Sequence, residues 1–331
     1  MRPLSSAQRR KHRTGQANPA GGPSVFYSII LPALLLCASK GTASPTLGAH
    51  TFTNYNLGQN GNLSISTRAL NTQPSGSTML VCIGRGAIAA FTNVPTDNKG
   101  NQPYTQLGST HAYVPLYPDS GTALYAFPSA TGGTGAVISV GTIAQDEVTL
   151  DAVEVKNGGV IQDYKWNEVL QGHPLTSLDV TTTGPATLVA FWWGDGNQYF
   201  VHTAIPDNGF TLIDSLGPLG SYVQTAVATR DVATAGTYHV TWDSGGNEGA
   251  QLWLVAVQSA PLPALQAQVL GGHAVITWPA SAAGYTLETT SDFSASNSWT
   301  PVTNAPFIVN LQNTITNLIS QGNRYYRLRK Q

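Results

Sequence analysis

From residue 50 onward the chain repeats one pattern: short apolar stretches rich in Val, Thr, Tyr, Phe and Trp, cut by Gly, Pro, Asn and Asp. An apolar/polar alternation of period two places side chains on opposite faces of an extended chain, so it specifies strands. The spacing predicts strands over 79–83, 123–127, 136–140, 148–155, 187–193, 223–229, 237–242 and 251–257. The best helical alternative is one or two turns over 164–170. Asp97-Asn98-Lys99-Gly100-Asn101, Gly132-Gly133, Asn157-Gly158-Gly159, Asp195-Gly196-Asn197 and Asp207-Asn208-Gly209 separate these stretches. Asn, Asp and Gly tolerate the left-handed backbone that tight connections need. Many short strands between such turns make a sandwich or barrel, and without crossover helices a parallel α/β fold is excluded.

The first 43 residues read as an address. Arg2, Arg9, Arg10, Lys11 and Arg13 precede an apolar run from Val25 to Cys37, which is shorter than the about 20 residues needed to span a bilayer. Gly41 and Ala43 have the spacing of a signal-peptidase site, which predicts cleavage after Ala43. Leu36 before Cys37 argues against a lipoprotein, and Lys11, His12 and Arg13 after the arginine pair argue against a twin-arginine signal. An uncleaved N-terminal anchor is the competing reading.

Losing that segment removes six of the sixteen Lys/Arg and none of the seventeen Asp/Glu, which leaves a net charge of −7. Phosphate contacts require the opposite sign, so nucleic acid is excluded as a partner. Cys82 would be the single cysteine left and has no internal disulfide partner, so stability has to come from packing.

Ala260-Pro261-Leu262-Pro263 interrupts the strand pattern as a stiff linker over 260–263. After it come Ala274-Val275-Ile276-Thr277-Trp278, Tyr285-Thr286-Leu287-Glu288, Asn317-Leu318 and Tyr325-Tyr326-Arg327-Leu328. This series resembles the fibronectin type III-like modules that end many secreted bacterial proteins. The resemblance implies that Trp278 and Tyr326 are core aromatics of facing sheets, and that a further edge strand would normally follow Gln331. Within 44–259, the Asp97–Asn101 turn, Val153-Glu154-Val155, Gly209-Phe210-Thr211, Ala235-Gly236-Thr237-Tyr238 and Trp253 resemble a jelly-roll-like sandwich of bacterial surface proteins. Gly76–Val81 is also similar to Gly184–Val189, as if both were central strands.

Candidate chemistry is sparse. Two Asp-Ser-Gly tripeptides, at Asp119 and Asp243, could form an aspartic-protease pair but are also ordinary turn sequences. Glu147 and Asp151 would lie about 13 Å apart on one strand face, too far for a glycosidase pair. Glu154 falls on an apolar face, where a buried carboxyl could act as an acid or simply bind backbone N–H groups. The histidines lack ligand spacing, and no GxSxG, HExxH or P-loop motif occurs. Asp97, Asn98 and Asn101, or Asp195 and Asn197, offer loop oxygens without the alternating ligands of a calcium loop. The most suggestive segment is Phe191–Phe200. In a strand Trp192 and Trp193 face opposite sides, so one fills the core and the other points outward or lies under a second layer; pointing outward, Trp193 with Asp195, Asn197, Gln198 and Tyr199 has the makeup of a sugar-binding platform, and the alternative is a central strand covered on both faces.

The sequence therefore predicts an all-β chain, a large antiparallel jelly-roll-like sandwich followed by a small immunoglobulin/fibronectin type III-like one. It would be secreted or displayed at the cell surface, without catalysis, metal or cofactor, and would bind an extracellular glycan or surface protein. The alternatives are a glycan-active hydrolase and a purely structural scaffold component.

Overall fold

The computed structural model describes residues 43–55, 64–114, 117–143, 146–194, 204–216, 224–243, 247–261, 263–280, 282, 285–292, 294, 298–319 and 324–330. These contain antiparallel sheets, one 3₁₀ turn at Ile88–Thr92 and no α-helix. They form two compact units that divide between Leu262 and Pro263.

The larger unit opens with β1 (Thr46–Tyr55), β2 (Ser64–Ser66), β3 (Leu70–Asn71), β4 (Ser75–Arg85), β5 (Thr96–Asp97), β6 (Thr105–Tyr113), β7 (Tyr117–Thr131), β8 (Thr134–Ala136), β9 (Ile138–Gly141) and β10 (Val148–Lys156). It continues with β11 (Val160–Gly172), β12 (Leu175–Thr176), β13 (Val180–Thr182), β14 (Ala186–Gly194), β15 (Ile205–Pro206), β16 (Thr211–Ser215), β17 (Gln224–Val232), β18 (Gly236–Tyr238), β19 (Thr241–Asp243) and β20 (Glu248–Gln258). The first ten build a five-stranded sheet β1-β10-β4-β7-β6 with small sheets β2-β9-β5 and β3-β8. The next ten repeat that path strand for strand, as β11-β20-β14-β17-β16, β12-β19-β15 and β13-β18. In each set the first strand pairs with the last and the short sheet covers the long one, which is a jelly-roll path. The segment expected as one large sandwich is thus two copies of one module, joined at Asn157-Gly158-Gly159.

Both faces of each long sheet are covered, and alternation along the strands decides which residue goes where. Met79, Val81 and Ile83 face the first module's short sheets, meeting Ile65, Leu70, Ile138 and Val140. Leu188, Ala190 and Trp192 do the same in the second, against Leu175, Val180, Val240 and Trp242. The opposite faces meet each other: Leu80, Cys82, Leu124, Val153 and Val155 pack with Val189, Phe191, Val227, Trp253, Val255 and Val257. The layers therefore run short sheet, long sheet, long sheet, short sheet.

The similarity of Gly76–Val81 to Gly184–Val189 marks equivalent strands, β4 and β14, but in a register one residue off. Thr78, Leu80 and Cys82 lie opposite Val155, Val153 and Asp151. Thr187, Val189 and Phe191 lie opposite Val257, Val255 and Trp253. Leu80 therefore corresponds to Val189, not to Leu188, since a one-residue slip would send every side chain to the wrong face. The 164–170 stretch is part of β11, paired with β20 from Val160 to Gly172. Its alternation of Tyr164, Trp166 and Glu168 with Asp163, Lys165 and Asn167 is a strand pattern.

The smaller unit contains β21 (Gln266–Leu270), β22 (His273–Pro279), β23 (Tyr285–Thr290), β24 (Thr300–Pro301), β25 (Phe307–Val309), β26 (Gln312–Leu318) and β27 (Tyr325–Lys330). A four-stranded sheet β21-β22-β26-β25 packs on a three-stranded sheet β24-β23-β27. Leu265, Ile276, Trp278, Leu287 and Ile315 are its buried core, with Tyr326 and Leu328 partly buried against them. The β21–β22 turn is made by Gly271 and Gly272, both at positive φ, where a side chain would be strained.

Candidate functional site

The residues that carry chemistry collect at the seam between the two modules of the larger unit. On β7, Thr122 donates to Gln251 Oε1 at 2.6 Å and accepts from Trp253 Nε1 at 2.9 Å, both on β20 of the second module. On β17, Thr225 donates to Asp151 Oδ2 at 2.8 Å, on β10 of the first module. Thr122 lies opposite Gly84 and Thr225 opposite Trp193 in matching registers, so the two threonines are equivalent, as are Asp151 and Trp253. Each module's threonine reaches the same position in the other, which is the reciprocal contact of a two-fold interface.

The sheet edges repeat this exchange. On one side His50 of β1 meets Asp214 of β16, Nδ1 to Oδ2 at 2.7 Å. On the other, β11 meets β6: the His111 ring stacks on Trp166 at 3.6 Å and 6°, with Trp253 edge-on to His111 at 5.2 Å. Burial lowers the His111 pKa, which favours the neutral ring. Gln251 Nε2 donates to Glu168 Oε2 and to the His111 carbonyl, at 3.2 and 3.3 Å.

Asp151 is the group least at ease. Burial pushes its pKa up to about 7, the nearby Asp214 charge adds to the rise, and the Thr225 hydrogen bond opposes it. Its Oδ1 is buried and accepts no hydrogen bond. Cys82 lies opposite it on β4, and burial together with the Asp151 charge pushes the thiol pKa upward. Such a thiol is inert.

Trp193 is 3 % exposed. Its indole Nε1 occupies the space where a Cβ on Gly84 would stand, and the ring meets that of Tyr113 at 6.0 Å in an edge-on arrangement. Trp192 is buried in the second module's own core. The two tryptophans do face opposite sides, but each side is covered, so no flat ring face is offered to solvent. Asp195, Asn197, Gln198 and Tyr199 lie outside the described residues.

The remaining carboxylates hold structure together. Glu154 accepts from Ala49 N at 2.9 Å, Gln73 N at 2.7 Å and Ser77 Oγ at 2.5 Å, which ties β1 and the approach to β4 onto β10. Asp146 pairs with Arg85 and accepts from Ala87 N. Asp97 receives Lys99 N, Asn101 N, Asn101 Nδ2 and Tyr104 Oη, so its loop is closed by protein donors. Asp119 is exposed on β7, not in a turn, and Asp243 ends β19 in the other module's short sheet. Glu147 precedes β10 and Asp151 lies within it, facing the seam. Among the described residues no group of three His, Cys, Asp or Glu could hold a metal ion.

Sequence reasoning missed the seam because its partners come from distant strands. The alternation along β10 pointed to Glu154 as the buried carboxyl and gave no sign that Asp151, on the opposite face, is buried as well. The chain matches no protein-family model, no curated protein and no solved structure.

Proposed function

We propose that the protein works outside the cell as a non-catalytic binding or adhesion protein, with the C-terminal sandwich as its contact element. One observation carries the reading. Eight of the seventeen large apolar residues exposed among the described residues fall in that small unit: Val269, Leu270, Phe307, Ile308, Val309, Leu311, Leu318 and Ile319. Scattered exposed apolar residues are normal, but such a concentration on a small unit marks an interaction surface. The order β21-β22-β26-β25 matches the A-B-E-D sheet of an immunoglobulin-type sandwich and β24-β23-β27 the order C′-C-F, which supports the fibronectin type III-like reading. The basic start and short apolar run support export. A glycan partner has less behind it, because the Trp193 ring is enclosed. A hydrolase has less still, since the buried Glu154 and Asp146 are engaged by structural partners.

The test has two parts. Fractionated producing cells should hold the protein outside, with its N-terminus near Ser44. Labelled protein added to those cells should resist washing, and a Phe307→Ser/Leu318→Ser variant should lose retention several-fold. Equal retention of the variant, or release of sugar from envelope glycans by the wild type, would overturn the reading.

A further inference from the structure

The geometry points to a second copy of this chain as a partner of the C-terminal sandwich, added edge to edge on its four-stranded sheet; this rests on the reading of that unit as the contact element. In β22 the core-facing residues include Ile276 and Trp278. The ladder then places Val269 of β21, opposite Ala274, on that same face. By the same alternation Ile308 of β25, opposite Asn313, also points to the core side. Yet Val269 is 72 % exposed and Ile308 66 %. The four-stranded sheet overhangs its three-stranded partner at both margins and leaves a core-side apolar residue uncovered on each.

The two sheets treat their margins differently. The three-stranded sheet ends in the two-residue β24, which contains Pro301, and in β27, which carries Arg327 and Arg329. Shortness, proline and charge are the usual protections of a sheet edge. Gln266–Leu270 and Phe307–Val309 contain no charge and no proline, and neither hairpin has a bulge. Among the described residues β21 pairs only with β22, and β25 only with β26. Across the sheet every neighbour is antiparallel, so β21 and β25 run in opposite directions. A copy displaced sideways therefore brings its β25 antiparallel to β21; Ile308 lies in the row of Trp278 and Val269 in that of Ala274, so a stagger of four residues along the strands, which keeps every side chain on its own face, sets Ile308 beside Val269 and continues the apolar layer. The contact is head to tail and does not close, so copies add in a row. It is only three residues deep, the length of β25, so it is weak and favours crowded chains at a surface.

The full chain is tested by sedimentation over a concentration series, with Val269→Lys and Ile308→Lys as variants. Both sites are exposed, and unchanged circular dichroism and melting temperature establish that the fold is intact. The wild type should gain mean mass with concentration, and each variant alone should lose at least tenfold in association. An equimolar mixture of the two variants should stop at dimers, because one retains a free β25 and the other a free β21. A wild type that stays monomeric throughout would overturn the inference, as would association blocked by only one variant or by neither. Monomers that still adhere to cells would sink self-association alone and leave the binding reading standing.

Discussion

Gly84 and Trp193 occupy equivalent positions on β4 and β14, and they are where the two modules must differ. A two-fold interface brings such positions face to face, and two large rings would not fit. The glycine provides room for the indole. Gly84→Ala puts a methyl into the Trp193 ring and should cost about 1–3 kcal/mol or more in urea denaturation, as overpacking does. Adding Trp193→Phe should recover part of that loss. A cost under about 0.5 kcal/mol would mean the ring has room to move. Trp193 was legible in the sequence as a notable residue, but its partner was not: nothing local to Phe191-Trp192-Trp193 records a glycine on another strand of another sheet.

Central and edge strands differed in legibility for a physical reason. Met79–Ile83, Val148–Val155, Thr187–Trp193 and Gln251–Val257 are covered on both faces and read as apolar runs, whereas β1, β6, β11 and β16 form the outer margins of the long sheets. Those margins mix Thr, His, Asn and Asp with aromatics, so β11 could be mistaken for helix and the others passed over. β10 and β17 meet through Asp151 and Thr225, and this junction should be sensitive to pH. The folded state holds the Asp151 proton up to about pH 7, whereas an unfolded carboxyl releases it near pH 4. Between those values the native state binds the extra proton, so stability falls as pH rises through the window and levels off above it. The unfolding free energy should be larger at pH 5 than at pH 8, by on the order of a few kcal/mol, and Asp151→Asn should flatten the difference. A wild-type profile already flat across that range would place the carboxyl's proton elsewhere.

At the scale of the whole molecule, the larger unit is a fused pair, and its covalent joint should be dispensable. The modules bury one another's long sheets through Leu80, Cys82, Val153, Phe191, Val227 and Trp253. Chains covering 44–158 and 159–262 should each aggregate when made alone and copurify as a one-to-one complex when made together. Stable separate monomers would show that the central layer contributes little. Period two, turn chemistry and the proline-rich break at 260–263 were enough to specify an all-β chain with its central strands, because strand alternation is a local property of neighbouring residues. Duplication, the one-residue register between the copies, the seam and the uncovered sheet margins were decided only in the tertiary structure. They depend on which distant faces meet, and the single apolar pattern of a doubly covered strand does not distinguish a partner in its own module from one in its twin.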